Sequence, residues 1–297
     1  MASEPVGMIG LGIMGSAMSL NLIKAGFEVA GFDVLDHARG AHKKAGGSIG
    51  VSCAEVAAEC PTVITSLPSA DALLETARDL AHARGVLKVV VETSTLPISV
   101  KEEAREMLSK SGIRLLDCPL SGTGAQARKK DLIVYASGDK KACQSVASVF
   151  EGFSRAHYYV GEFGSGSKTK FVANLLVAIH NIAAAEAMVL AMKAGLDPAT
   201  TLKVISDGAG TSRMLEVRGP MMVKNDYSEA TMKVRTWQKD MSVIGDFARK
   251  MECPTPLFSA SAPIYIAAMA QGFGDADTAS VCAVLEEMAH HLRKPHA

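Results

Sequence analysis

The chain has no excess of charge of either sign. Its 297 residues include 31 Lys plus Arg and 31 Asp plus Glu, so the formal net charge is zero. Without a basic surface field there is little to attract the phosphates of nucleic acid or the headgroups of anionic lipid. The expected partners are therefore small molecules and further copies of the chain, with neither nucleic acid nor a membrane among them.

Paired cysteines and long apolar runs are also missing. The 6 cysteines form no C-x-x-C pair, which argues against a zinc ribbon or a disulfide framework. No metal site is expected. No stretch approaches ~18 uninterrupted apolar residues, and no signal-like segment precedes the first motif. These absences predict a cytoplasmic protein. The length and the hydrophobic content of 48% suit two domains with full cores.

Three glycines near the start of the chain, Gly10, Gly12 and Gly15, follow a short apolar run with the spacing G-x-G-x-x-G. The first glycine suits a tight turn off a strand, the second lets backbone approach a pyrophosphate, and the third lets the next helix pack closely. The N terminus of that helix would face the anion. The predicted cofactor-binding loop comprises Gly10, Leu11, Gly12, Ile13, Met14 and Gly15.

The residues after this loop support the same interpretation. Leu11–Ala25 carries apolar residues at helical spacing and ends at Gly26, a residue typical of helix C termini. The run from Phe27 to Asp33 is then typical of a second strand that ends in a carboxylate. The result is a strand, helix, strand and acid in the order of a dinucleotide-binding unit.

Asp33 predicts which dinucleotide is bound. It lies near the offset of about 20 residues at which an acid accepts hydrogen bonds from the adenosine ribose. A carboxylate there favours NAD, because it would repel the 2′-phosphate of NADP. Two alternatives stay open: Arg39 or His37 could turn inward to accept that phosphate, and Asp33 could merely cap the next helix.

The alternation of elements predicts the architecture. Strand-like runs separated by helices extend to about residue 160 and indicate a doubly wound, mostly parallel sheet. After them comes a long helix near 167–194, and everything beyond it is helical. We therefore predict an α/β fold with a Rossmann-type NAD(P)-binding domain at 1–163 and an all-α substrate and oligomerisation domain at 164–297. The further helices are expected near 198–207, 212–224, 236–251, 260–271 and 278–292.

Four segments carry polar residues where a ligand could bind. Hydroxyl residues follow two strands, in Ser66-Leu67-Pro68 and Thr93-Ser94-Thr95, although such residues also cap helices. The loop at 117–125 offers a hydroxyl and glycine-flanked amides suited to a carboxylate, although a plain turn would look similar. Lys170 and Asn174 share one face of the long helix. A partly desolvated lysine can serve as an acid/base, although one that reaches solvent would look the same.

Together these segments resemble the β-hydroxyacid dehydrogenase family, which includes 3-hydroxyisobutyrate dehydrogenase and tartronate semialdehyde reductase. The resemblance runs from about residue 5 to 290 in the expected order. Its elements are Ile9–Gly15, Leu67-Pro68, Glu92-Thr93-Ser94-Thr95, Asp117-Cys118-Pro119-Leu120-Ser121-Gly122, Gly164-x-Gly166-x-x-x-Lys170-x-x-x-Asn174 and Lys239-Asp240.

The resemblance implies roles for individual residues. Ser121 and Gly122 would hold the substrate carboxylate, Lys170 would move the hydroxyl proton and Asn174 would orient the substrate. The residues implied to contact the dinucleotide, or to lie over it, are Leu67, Pro68, Thr95 and Lys239.

Two residues depart from the family pattern. Thr123 stands where a second glycine is usual and joins the predicted substrate-binding residues, and Glu92 replaces the usual Asp. The chain also lacks the extra C-terminal length of most 6-phosphogluconate dehydrogenases, so that branch of the family is not expected. A four-carbon aldonate is one candidate substrate, with Ser212, Arg213 and Arg235 as further polar groups that could line a pocket.

The implied activity is hydride transfer between the hydroxyl carbon of a small 3-hydroxy acid and NAD, with NADP as the alternative cofactor. Two alternative functions stay open. An NADPH-dependent reductase of small aldehydes such as glyoxylate or succinic semialdehyde would use the same residues. A non-catalytic module would be expected to lose Lys170. Because the long helix is apolar around most of its circumference, a homodimer or homotetramer is expected.

Overall fold

The computed structural model of the chain describes residues 4–291 and 293. The chain divides into two compact units between Lys170 and Phe171, shortly after the domain boundary predicted at residue 163. The strands of the first unit are β1 (Val6–Ile9), β2 (Val29–Phe32), β3 (Ser48–Ile49), β4 (Thr62–Thr65), β5 (Val89–Glu92), β6 (Arg114–Asp117), β7 (Leu120–Ser121), β8 (Ile133–Ala136) and β9 (Ala156–Tyr159).

Helices connect these strands. They are α1 (Ile13–Lys24), α2 (Asp36–Lys44), α3 (Cys53–Glu59), α4 (Ala70–His82), α5 (Ile98–Ser109), α6 (Gly124–Arg128), α7 (Lys140–Ser145) and α8 (Ala147–Phe153). Three of them begin at side chains that accept a hydrogen bond from the first turn, namely Ser52, Ser69 and Asp139. These residues satisfy backbone amides that have no partner inside the helix.

The main sheet has six parallel strands in the order β3-β2-β1-β4-β5-β6. This is the doubly wound order of Rossmann folds, in which the strand sequence reverses beside β1. Both faces of the sheet are covered, since Val89 and Val91 pack into one apolar cluster and Val90 into another. The predicted fold class is therefore confirmed for this unit.

A second, smaller sheet has the order β7-β8-β9, with β7 antiparallel to β8. The predicted strands at 132–136 and 157–160 lie in this sheet and not in the main one. An isolated bridge between Asp117 and Ser137 marks the place where the chain leaves the first sheet and folds back. The two-residue strands β3 and β7 were not predicted, because so short a run carries no periodicity.

The regular elements of the second unit, in the part that the structure describes, are all helices. It contains most of α9 (Ser165–Lys193), followed by α10 (Pro198–Ser206), α11 (Arg213–Lys224), α12 (Val234–Lys250), α13 (Pro256–Ala270) and α14 (Val281–Met288), with short 3₁₀ turns at Phe273–Asp275 and Thr278–Ser280. The all-α prediction is confirmed. The last predicted helix is shorter than expected, and residue 292 at its predicted end lies outside the described residues.

Helix α9 is long and apolar enough, by length and composition alone, to cross a membrane, and half of its most apolar window is buried. The core helix of a globular protein meets the same test. The helix is not buried on every face, because Val172, Leu176 and Leu190 are 60%, 47% and 71% exposed. These three side chains lie on one side of the helix and are called the apolar stripe below, although the exposed Glu186 lies between Leu176 and Leu190 on that side.

Candidate active site

The strand register brings the predicted cofactor residues to one edge of the main sheet. Ile9 is paired with Phe32 on one side and Thr65 on the other, so the residues after these strands lie side by side. Thr65 is in turn paired with Glu92, and Glu92 with Asp117. The carboxyl ends of parallel strands are where such sheets bind ligands.

The glycine loop has the geometry that its spacing predicts. Gly10 has a φ of 88°, and a Cβ there would collide with the carbonyl oxygen of Ser66. A Cβ at Gly15 would collide with the carbonyl oxygen of Gly10, so the helix can approach the turn only without a side chain. At Gly12, by contrast, a Cβ would meet nothing within 4 Å. Its missing side chain leaves space on the outside, where a ligand would approach.

Helix α1 begins at this open side. Among the described residues, no side chain caps its N terminus at Gly12, and no acidic residue lies in its first turn. Its first amides can therefore bind an anion, and the helix dipole favours one. The loop and helix present here fit the pyrophosphate of a dinucleotide.

Asp33 is held beside this loop by two backbone amides. Its Oδ2 accepts a hydrogen bond from Leu11 N at 2.7 Å, and its Oδ1 accepts one from Leu35 N at 2.9 Å. The second contact closes a local turn and does not cap α2, because Leu35 is itself the N-cap residue of that helix. The first spans 22 residues and joins the acid to the glycine loop.

Arg39 lies close to Asp33, whereas His37 is exposed. The guanidinium group of Arg39 donates to the carbonyl oxygen of Asp33, pairs with Asp36 and lies 5.9 Å from the centre of the Phe32 ring. A cation is thus held at the end of the second strand, near the acid predicted to bind ribose.

The next strand ends carry Leu67, Pro68 and Thr95. The amide of Leu67 donates to Ser94 Oγ at 2.8 Å, which ties the loop after β4 to the loop after β5. Pro68 is exposed and Thr95 is half-buried. The structure brings these predicted cofactor residues to the same edge as the glycine loop.

The predicted substrate loop adjoins this edge. Gly122 has a φ of 128°, a left-handed conformation that favours glycine, and a Cβ there would lie 2.7 Å from a methyl group of Leu132. The next helix, α6, packs on the glycine loop, since a Cβ at Gly124 would collide with the side chain of Ile13. Ser121 and Thr123 are half-buried on either side of Gly122.

Thr123 has a local role that the sequence did not show. It caps α6, and its amide donates to the side chain of Gln126 at 3.0 Å. Its hydroxyl also lies 3.4 Å from the same Gln126 oxygen. The residue that departs from the family pattern therefore stabilises the turn in which it lies.

The first turn of α9 packs against the strand end that leads into the substrate loop. A Cβ at Gly166 would lie 2.5 Å from the carbonyl oxygens of Asp117 and Tyr135 and 2.9 Å from Pro119. The amide and hydroxyl of Ser167 both donate to the Asp117 carboxylate at 2.7 Å. Lys170 is half-buried in the following turn.

In the second unit, Asn174 and Lys239 meet at one acid. Asn174 Nδ2 donates to Asp240 Oδ2 at 3.0 Å, and Lys239 Nζ lies 3.6 Å from Asp240 Oδ1. Asn174 and Asp240 are buried, whereas Lys239 is half-exposed. The sequence motif predicts no role for Asp240, and the structure shows that its carboxylate accepts a hydrogen bond from the Asn174 amide. The implied position of Lys239 over the cofactor remains a prediction.

The three other polar residues predicted to line the pocket have local contacts in the structure. Ser212 caps α11, Arg213 pairs with Glu216 at 2.9 Å, and Arg235 lies 3.7 Å from Asp275. Their place in a substrate pocket remains a prediction.

A buried lysine was missed altogether. Lys101 is 0% exposed, and its Nζ lies 2.7 Å from Glu92 Oε2 and 2.8 Å from Asp117 Oδ1. The sequence did contain a signal for its burial. Lys101 lies three residues before Ala104 and seven before Leu108, which places it on the buried face of α5. Across the described residues, no cluster of three or more His, Cys, Asp or Glu side chains could hold a metal ion.

The sheet order and the glycine loop define a Rossmann-type dinucleotide-binding protein. Residues 5–161 match the NAD-binding domain of 6-phosphogluconate dehydrogenase, and residues 164–285 match the NAD-binding domain of NADP-dependent 3-hydroxyisobutyrate dehydrogenase. The chain belongs to the β-hydroxyacid dehydrogenase family, in the 3-hydroxyisobutyrate dehydrogenase group, and is an NAD(P)-dependent oxidoreductase. The resemblance seen in the sequence is confirmed.

Proteins similar to this chain are named for several different substrates. An L-threonate dehydrogenase of Cupriavidus necator is 33% identical over 94% of this chain and 95% of its own length. Glyoxylate/succinic semialdehyde reductase 1 of Arabidopsis thaliana is 31% identical over 93% of this chain and 96% of its own length. The crystal structure of a 3-hydroxyisobutyrate dehydrogenase from Salmonella typhimurium superimposes with a TM-score of 0.85 at 28% identity, covering 95% of this chain and 100% of that one.

Proposed function

We propose that the protein oxidises a small 3-hydroxy acid with NAD and that Lys170 is the acid/base of the reaction. One observation carries the proposal: the first turn of α9 packs on the Asp117–Pro119 strand end that leads into Ser121 and Gly122. The lysine in the next turn of α9 is therefore held on the same framework as the loop proposed to bind substrate.

Each of the proposed site residues has a separate role. Ser121 and the backbone at Gly122 would hold the substrate carboxylate, and the amide of Asn174, itself held by Asp240, would orient the hydroxyl-bearing carbon. Lys170 takes the hydroxyl proton during oxidation and returns it in the reverse direction. The nicotinamide, when bound, supplies the hydride acceptor. Orientation by the protein lowers the barrier without new covalent chemistry.

Two contacts support NAD as the cofactor. Asp33 lies against the glycine loop through Leu11, and each of its oxygens keeps capacity for a further hydrogen bond from a ribose hydroxyl. Its negative charge would repel a 2′-phosphate. The nearby guanidinium of Arg39 favours the second candidate, an NADPH-dependent reductase of glyoxylate or succinic semialdehyde.

We propose a four-carbon aldonate as the first substrate to test. The Cupriavidus relative named for L-threonate supports this choice. Ser212, Arg213 and Arg235 have local partners in the structure and lend this choice no further support.

An activity screen tests both candidates. The purified protein is assayed with L-threonate and 3-hydroxyisobutyrate in the presence of NAD or NADP, and with glyoxylate and succinic semialdehyde in the presence of NADH or NADPH. The proposal expects the highest kcat/KM for a hydroxy acid with NAD. A highest value for an aldehyde with NADPH would establish the second candidate instead.

A further inference from the structure

The buried ammonium group of Lys101 has a partner for each of its three hydrogens. It reaches Glu92 Oε2 at 2.7 Å, Asp117 Oδ1 at 2.8 Å and the carbonyl oxygen of Ser94 at 2.7 Å. An ammonium group has three donors and no acceptor, so these contacts use its full capacity. Lys101 thereby joins the ends of two neighbouring strands, β5 and β6.

One arm of this network leads to the cofactor loops. The amide of Ser94 donates to both oxygens of Glu92, at 3.0 and 3.1 Å. The hydroxyl of Ser94 accepts the amide of Leu67 at 2.8 Å. The loops that carry Leu67 and Thr95 are thus held by groups that Lys101 binds directly.

The other arm leads to α9. The carboxylate of Asp117 accepts both the amide and the hydroxyl of Ser167 at 2.7 Å, and it lies 3.3 Å from Ser137 Oγ. Ser137 Oγ in turn accepts the amide of Gly166 at 2.9 Å. Asp117 therefore caps the start of α9 from a strand 50 residues earlier in the chain.

Burying these charged groups costs desolvation free energy, so the network is a poor means of stabilising the fold. Burial alone would lower the pKa of Lys101, but Asp117 and Glu92 outweigh it and hold that pKa above its usual value. The network thus has one cation and two carboxylates in a fully buried position. Apolar residues of similar volume often stabilise a core as well or better. Apolar residues could not, however, fix two loops and the start of α9 in a directed geometry.

We propose that Lys101, Glu92 and Asp117 form a positioning network that sets where α9 presents Lys170 relative to the cofactor and substrate loops. The inference rests on the proposed function for the role of Lys170. Lys101 and Asp117 are positioning residues, because they act on the reaction only through Ser167 and the loops that they hold.

Ser167 offers the mildest test. The variant Ser167→Ala removes one donor to Asp117 but keeps the backbone amide and the buried charges. We expect kcat to fall by about tenfold, because small displacements of reacting groups cost one to two orders of magnitude. The dissociation constant for NAD should stay within about twofold of the wild-type value, since the variant leaves the ground-state binding of the cofactor unchanged. Ser167→Thr, which restores a hydroxyl, should recover most of the lost kcat.

Ser165→Ala is the matched control. It removes a hydroxyl from the same turn of α9, and Ser165 is not among the hydrogen-bond partners of Asp117. Its kcat should equal that of the wild type. Equal losses in Ser165→Ala and Ser167→Ala, or no rescue by threonine, would overturn the positioning role.

A second readout does not depend on activity. Trace acetylation of lysines with acetic anhydride, followed by mass spectrometry, gives the reactivity of Lys170 relative to the exposed Lys168 in the same peptide. We expect this ratio to change severalfold in Ser167→Ala and to stay constant in Ser165→Ala. A constant ratio in both variants would contradict the inference.

The two proposals can fail separately. If Lys170→Ala keeps the wild-type kcat, the proposed acid/base is wrong, and the acetylation ratio still decides whether the network positions Lys170. If Lys170→Ala is inactive while Ser167→Ala matches the wild type in both kcat and acetylation ratio, only the positioning network is wrong.

Discussion

At the scale of single residues, Lys170 is the first to test. We predict that Lys170→Ala lowers kcat by about 10²–10⁴, the range that general acid–base groups supply, and leaves the affinity for NAD within a few-fold. Lys170→Arg should also be slow, because a guanidinium group does not readily release a proton. Stopped-flow turnover and NAD titration measure both quantities. A variant that keeps more than about a tenth of the wild-type kcat would remove Lys170 from the mechanism.

Asp33 is predicted to set the cofactor preference. The wild type should have a higher kcat/KM for NAD than for NADP, because the carboxylate binds ribose hydroxyls and repels a 2′-phosphate. Asp33→Asn keeps an acceptor for Leu11 N but removes the charge, and it should narrow the preference roughly tenfold, which is about 1.4 kcal/mol.

Steady-state kinetics with both cofactors check this prediction. Arg39→Ala is the companion variant and should weaken whatever NADP activity the wild type has. If the wild type uses NADP as well as or better than NAD, then Arg39 or His37 governs the site and Asp33 does not.

At the scale of elements, alanine substitutions of two glycines in the same loop should have different effects, one on cofactor binding and one on stability. Gly12→Ala adds a methyl group that meets nothing within 4 Å, so the fold should be kept while the methyl occupies space needed by the pyrophosphate. We expect an unchanged melting temperature and NAD binding weakened by at least about tenfold. Gly15→Ala should lower the melting temperature itself, because its Cβ would collide with the carbonyl oxygen of Gly10.

Differential scanning fluorimetry and calorimetric titration separate the two effects. A lower melting temperature for Gly12→Ala than for the wild type, or a wild-type melting temperature for Gly15→Ala, would contradict the roles assigned to these two glycines.

We predict that the stability of the protein depends on pH through His42, a buried residue of α2 that lies beside Val29 of β2. Burial lowers the pKa of His42 below its model-peptide value of 6.5, although the Val29 and Ser48 backbones partly oppose the shift. The folded protein therefore binds a proton there less readily than the unfolded chain. Its contribution to stability is present above about pH 6.5 and is lost as the pH falls below it.

The measurement is urea unfolding at several pH values between about 5 and 8. We expect the free energy of unfolding to decrease toward low pH more steeply in the wild type than in His42→Gln, which cannot titrate. Identical slopes for the two proteins would show that His42 is protonated equally in both states.

At the scale of the whole molecule, the apolar stripe on α9 predicts self-association. Val172, Leu176 and Leu190 are large and exposed and lie on one side of the helix, and a second copy of the chain could cover them. We propose a homodimer, or a tetramer built from dimers. Light scattering after size exclusion should give at least twice the chain mass of 31.2 kDa at low micromolar concentration.

Two leucine variants sharpen this test. Leu190→Glu places a charge in the stripe and should shift the protein toward the monomer, whereas Leu196→Glu alters an exposed leucine beyond the end of the helix and should not. A wild-type mass near that of one chain would show that the stripe is not an interface.

All six cysteines are free, and five of them are buried. Burial raises the pKa of the Cys53, Cys60 and Cys143 thiols to about 11, which keeps them protonated and unreactive at neutral pH.

Local chemistry explains what the sequence by itself determined. A tight turn, a close helix and an open approach each require glycine at a particular spacing, so Gly10, Gly12 and Gly15 predicted their own geometry. Helix ends were predicted in the same way, since Gly195 and Pro198 stop α9 and start α10. The family followed because several short motifs stand in one order along the chain.

The tertiary structure alone decided which polar residues meet. Ser167 binds Asp117 across 50 residues, Asn174 binds Asp240 across 66, and Lys101 looks in sequence like any surface lysine on an amphipathic helix. The division into two sheets was equally hidden, because strands of two residues have no period to detect. Periodicity and turn chemistry act between neighbours in the chain, whereas a buried charge is satisfied by groups that only folding brings near.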